Sequence, residues 1–141
     1  MTSAIDSSKP ITGSPTTQSV RDNFAAAKSE IEALQARDQV SKFSIVGALT
    51  ALVGAARWYP DHPIVIDSVY FSQGGAALGA TVIDVKKNGT SIFSGSLPTC
   101  APGGNKSTII SNTTTMAITD YLTVDVLSGS GSDATVCIVY H

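Results

Sequence analysis

The stretch 80-ATVIDVKKNGTSIF-93 decides the fold. Asn88-Gly89 sits between two runs of β-branched residues. Both central positions of a two-residue hairpin turn must accept positive φ, and Asn-Gly is the pair that does so at least cost. On the first run Ile83 and Val85 alternate with Asp84 and Lys86. This period-2 pattern predicts a strand with one covered and one wet face.

Working outward, the same grammar repeats: 63-PIVIDSVYFS-72, 90-TSIFSG-95, 106-KSTIIS-111, 120-DYLTVDVLS-128 and 134-ATVCIVYH-141 read as strands. Loop chemistry separates them in "QGGAALG", "SLPTCAPGGN" and "GSGSD". In 121-YLTVDV-126 the residues Leu122, Val124 and Val126 face one way, and Tyr121, Thr123 and Asp125 the other. The run 63–71 is apolar on both parities, so that strand is either covered on both sides or bulged near Asp67. Six or seven short strands at this spacing predict a mainly β fold, an antiparallel β-sandwich of jelly-roll type over residues 57–141. The preceding 39–56 segment, rich in Gly and Ala, reads as a connector or first strand, and is a candidate for burial between subunits.

Upstream the period changes. Within 15-PTTQSVRDNFAAAKSEIEALQ-35 the apolar residues Val20, Phe24, Ala27, Ile31 and Leu34 recur at spacings of 4, 3, 4 and 3, a heptad seam. Ser14 and Pro15 suit the cap and first turn of a helix over 15–38. Such a helix is marginal in water by itself. Its seam must therefore face the β domain or copies of itself. Residues 1–14, polar and without period, read as an extended attachment arm.

Charge narrows the function. The chain has 141 residues and a net charge of −2, which removes the clustered cations that nucleic-acid binding needs. Charged residues are 14% of the chain, against about 25% in an average soluble domain. Half of the 20 lie within the first 42 residues. Ser and Thr, 33 in all, supply the remaining polarity, a mild surface suited to packing against other subunits. The opening residues lack the basic and apolar regions of a secretory signal, and 44-SIVGALTALVGAA-56 is too short to span a bilayer. The expectation is cytoplasmic synthesis and no membrane. Cys100 and Cys137 lack metal-ligand spacing and read as reduced thiols near the core, with a disulfide as the alternative.

No reaction centre emerges. His62 lies in a Pro-bounded turn and His141 at the last position; both read as exposed. Asp67, Asp84, Asp125 and Asp133 are scattered and read as solvated charges. "GGAALGA" joins strands without opening a helix, so it is no phosphate loop. The expectation is a protein that is not an enzyme, with no catalytic residues, cofactor or metal. Arg57, Trp58 and Tyr59 are residue types that anchor interfaces and also stack on sugars. They read as an edge-packing element, a subunit contact or a carbohydrate platform.

Two segments carry a resemblance. "ITGSPTTQSVRDNFAAAKSEIEALQ" resembles the opening of small tailed-bacteriophage virion proteins, in which a Thr-rich arm and helix precede a variable β domain. "RWYPDHPIVIDSVYFSQGG", "ATVIDVKKNGTSIF" and "DYLTVDVLS" resemble the β-sandwiches of phage decoration, head-fibre and tail-fibre proteins. The resemblance implies a homotrimeric capsid decoration (cement) protein on the virion surface, its N-terminal part attached to the major capsid protein. It implies no catalytic motif. A short tail or head fibre that reads a host surface glycan is the alternative. A lectin-like module would leave the helix unexplained, and a depolymerase would need a carboxylate pair or a long β-helix.

Overall fold

The computed structural model describes Ile5 and residues 17–35, 37–75 and 78–141. The chain divides into two compact units, Met1–Arg37 and Asp38–His141. The expected arm, apart from Ile5, and the capping pair Ser14 and Pro15 lie outside the described residues.

In the first unit, α1 runs from Thr17 to Gln35. Ala25, Ala26 and Ala27 favour helix at almost no side-chain entropy cost. Two one-turn pairs support its exposed surface: Gln18 Nε2 donates to Asp22 at 2.7 Å, and Lys28 lies 3.5 Å from Glu32. No residue of α1 is buried.

The second unit holds the strands β1 (Gln39–Ala48), β2 (Ile64–Gly75), β3 (Thr81–Lys87), β4 (Thr90–Ser91), β5 (Thr99–Cys100), β6 (Ile110–Ser111), β7 (Thr115–Met116), β8 (Leu122–Ser128) and β9 (Ser132–Tyr140). One sheet is ordered β1-β9-β2-β6, with β7 also on β2; the other is β4-β3-β5, with β8 on β3. All pairings are antiparallel. The β3–β8 pair is nested in sequence inside the β2–β9 pair, so one long ribbon folds over on itself in the jelly-roll manner. The inner faces supply Ile66, Val69, Phe71, Val136 and Ile138 from one sheet and Ile83, Val85, Leu122 and Val126 from the other. Each such side chain contributes about 1.5–3 kcal/mol on burial.

Asn88 and Gly89 adopt φ of 50° and 86°, both positive, and close the β3–β4 hairpin between the paired residues Lys87 and Thr90. The strand pairing β2–β9 shifts register between Ile66 and Ser68. Ile64 and Ile66 are buried before this bulge, and Val69, Phe71 and Gln73 after it. One extra residue at Asp67 thus flips the inward parity, which is why the run is apolar on both. β2 is also central, paired with β9 on one side and β6 and β7 on the other.

Of the two readings of the 39–56 segment, connector or first strand, its opening part is a ten-residue strand paired to β9 from Gln39 to Ala48, and the compact β unit starts at Asp38. Two other expectations are revised. Two expected strands, 90–95 and 106–111, shrink to the two-residue β4 and β6; after β4, Ile92 and Phe93 pack against the core. The outer face of β3 and β8 is not wet: Asp84, Thr123 and Asp125 are buried alongside the apolar residues.

Candidate functional site

The unexpected burial on β3 and β8 has a local cause. Residues 52–58 run along the free edge of β8, bridged to it at Leu52–Val126 and Trp58–Leu122. Five residues, 53–57, thereby span the three residues 123–125, and the excess folds over the sheet. Gly54 lies so close to β8 that a Cβ there would sit 1.9 Å from the Val124 carbonyl oxygen. Its N–H donates to Asp125 Oδ1 at 2.9 Å.

Asp125 is 2% exposed and stands directly opposite Asp84 in the β3–β8 register. Two facing carboxylates repel, and burial raises the cost. Lys86 offsets it: its Nζ donates to Asp125 Oδ2 at 2.6 Å. The Asp125 hydrogen bond, and then the charges of Asp125 and Asp84, hold the Lys86 ammonium above its usual pKa. Ser91 Oγ donates to Asp84 Oδ1 at 2.7 Å. The four side chains form an electrostatic clamp that ties the hairpin to the sheet and, through Gly54, to the overlying segment. A carboxylate pair thus does meet in space, contrary to the scattered reading. Both Asp125 oxygens are engaged in the clamp.

Beside it lies a groove of about 350 Å³, lined among others by Val53, Arg57, Lys86, Tyr121 and Asp125. The Arg57 guanidinium sits 4.4 Å over the Tyr121 ring, and Tyr59 packs 5.8 Å from the same ring at an interplanar angle of 51°. Tyr121 is positioned from the hairpin tip, since its N–H donates to Asn88 Oδ1 at 3.0 Å. Asn88 Nδ2 in turn donates to Asp120 at 2.6 Å. Lys87, together with the Ala117 N–H and Asn88, lowers the Asp120 pKa to about 2.

The expected trio 57–59 therefore divides. Arg57 and Tyr59 join Tyr121 on the surface, whereas Trp58 turns inward, packs on the core and meets the Tyr140 ring at 5.5 Å. The alternation of a chain bridged to β8 at Trp58 sends neighbouring side chains to opposite sides. Burial raises the Tyr140 hydroxyl pKa.

Two further surfaces matter. On α1, Phe24 is 72% exposed, Ile31 54% and Leu34 56%, while Val20 and Ala27 are half-buried. Ile5, Val20, Asn23, Phe24 and Ala27 outline an apolar groove of about 300 Å³. On the β unit, β1 pairs only with β9, which leaves its other edge open among the described residues. Val46 of β1 and Val53 of the segment along β8 are 88% and 78% exposed, and Phe43, Ile45, Leu52, Ala55 and Ala56 line a second groove of about 200 Å³.

Both cysteines are buried and free, and burial raises the Cys100 thiol pKa. No helix among the described residues is long and apolar enough to cross a membrane. No protein-family model matches the chain, and no curated protein matches it.

Sequence reasoning missed the Asp84–Lys86–Asp125 clamp and the role of Tyr121. Asp84, Lys86 and Asp125 alternate correctly on their strands and Tyr121 directly precedes β8, but their meeting depends on the register of β3 against β8 and on the 52–58 overlay. Neither is written in any single segment.

Proposed function

We propose that the protein is a virion structural protein of a tailed bacteriophage, a decoration (cement) protein that binds the major capsid protein as a homotrimer. The observation that carries self-association is α1: a 19-residue helix with no buried residue, whose heptad seam leaves Phe24, Ile31 and Leu34 exposed. A helix of this length needs a covering surface to persist in water. The open β1 edge and the exposed side chains of Val46, Leu52 and Val53 give copies of the β unit a second place to meet. The resemblance of the arm and helix to phage virion proteins supplies the assignment to a particle. In this reading residues 1–37 attach to the shell, and the sandwich projects. Bridging neighbouring capsomers stabilises the assembled shell, because the protein binds that state in preference to the separated subunits.

Copy number on purified particles tests the assignment. Hundreds of copies per virion support decoration, and a handful places the protein on a tail. Deleting residues 1–37 should release it from particles; full retention of the truncated chain refutes attachment through the arm and helix.

A fibre that reads host glycan is the second reading. The Arg57–Tyr59–Tyr121 cluster beside an open groove favours it. Glycan-array binding lost on Tyr121→Ala would select it over decoration.

A further inference from the structure

We propose that Asp38, Asp67 and His141 form a site for a divalent transition-metal cation such as Zn²⁺. Gln39 and Ile66 both pair with Tyr140, so the three residues stand at one end of the neighbouring strands β1, β9 and β2. His141 directly follows β9, the middle strand, with an aspartate on either side. One donor atom from each residue can be chosen so that all lie within 4.8 Å of one another. His141 Nδ1 and Asp67 Oδ2 are 2.9 Å apart. Two cis ligands, each about 2.0–2.2 Å from a cation, are separated by about 3.0–3.4 Å, so this pair needs little movement to share one. Histidine spacing along the chain does not reveal this set.

The backbone holds the donors in place. The His141 N–H donates to the Val65 carbonyl at 3.1 Å, and the Val65 N–H donates to the His141 carbonyl at 2.8 Å. The carbonyl of Asp67 accepts from the Asn112 N–H at 2.7 Å, within the bulge that turns this aspartate out of the alternation. Bulges are a common means of re-aiming one side chain without disturbing the sheet.

The donor set selects the ion. Two carboxylates neutralise a dication, and an imidazole favours Zn²⁺, Ni²⁺ or Cu²⁺ over Ca²⁺ and Mg²⁺, which take oxygen ligands. The Asp67 and His141 side chains are 34% and 48% exposed, which leaves the remaining coordination positions to water. Such a cation would fasten the start of β1, the open edge strand, to β9 and to the β2 bulge.

The test uses tag-free, full-length protein titrated with ZnCl₂ by calorimetry, with Co²⁺ absorption as an independent readout. Expected are one Zn²⁺ per chain, a melting temperature that rises with Zn²⁺ and not with Mg²⁺, and a visible Co²⁺ band. His141→Ala and Asp67→Asn should each weaken Zn²⁺ binding about tenfold or more while melting cooperatively without metal. His62→Ala, which removes the imidazole beside Asp61, should leave binding unchanged. Absence of saturable binding below about 1 mM overturns the proposal. Equal affinity in His141→Ala, or loss in His62→Ala alone, overturns it too.

Discussion

Phe24→Ala measures whether the seam of α1 is an interface between copies of the chain. Phe24, Ile31 and Leu34 expose 72%, 54% and 56% of their surface. Complete burial of such a side chain is worth about 1.5–3 kcal/mol, so covering what remains exposed yields about 3–5 kcal/mol per chain. Three chains together gain about 8–16 kcal/mol. Bringing chains together costs about 4–15 kcal/mol for each association, so the helix alone gives at best a marginal trimer and the β1 edge must contribute. Removing the Phe24 ring forfeits about 1–2 kcal/mol per chain, or about 3–6 kcal/mol per trimer. A trimer constant carries the square of concentration. The midpoint of dissociation should therefore rise by about one to two orders of magnitude. Sedimentation equilibrium over roughly three decades of concentration reads this directly. Far-UV circular dichroism should lose helix signal as trimers dissociate, because the freed helix is marginal. A wild-type chain that is monomeric throughout, or a Phe24→Ala midpoint equal to wild type, refutes the argument.

Other perturbations address the β unit. Gly54→Ala places a Cβ against the Val124 carbonyl and should cost about 1–3 kcal/mol, visible as a lower urea midpoint with an unchanged slope. Asp125→Ala strips the half-buried Gly54 N–H of its acceptor and Lys86 of its partner, a loss of about 1–3 kcal/mol, whereas the same change at exposed Asp61 should be nearly silent. The Asp120 carboxyl is depressed to about 2, chiefly by its hydrogen bond to Lys87. Its stabilisation is therefore complete above the ordinary aspartate value of about 4 and is lost as pH falls towards 2. Asp120→Asn should flatten the dependence of the melting temperature across that window; an unchanged acid limb would contradict the assignment. Buried Cys100, with its raised thiol pKa, should react with Ellman's reagent far more slowly in the native protein than in denaturant.

Local chemistry was sufficient wherever one segment contains its own instruction. Asn88-Gly89 specifies a hairpin because only a few residue types tolerate consecutive positive φ, and both residues adopt it. The double apolar parity of 63–71 contains the bulge at Asp67, since a strand cannot bury both parities over one face without an inserted residue. The 4-3-4-3 spacing in 20–34 specifies a helix with one apolar stripe, and α1 spans it. Composition predicted a β surface poor in charge.

Tertiary structure decided what depends on which strands become neighbours. Alternation in β3 and β8 says that Asp84 and Asp125 leave the core face; it cannot say that a third segment then closes on Asp125. That covering follows from the bridges at Leu52 and Trp58 and from Gly54, whose missing side chain lets the backbone close over β8. The same bridging sends Trp58 inward and leaves Arg57 and Tyr59 to Tyr121. His141 finds Asp38 and Asp67 only because β9 lies between β1 and β2. Residue periodicity encodes the orientation of side chains about their own strand, a short-range steric property. Sheet order and register arise from the packing of the whole core, and they alone determine which outward-facing groups meet.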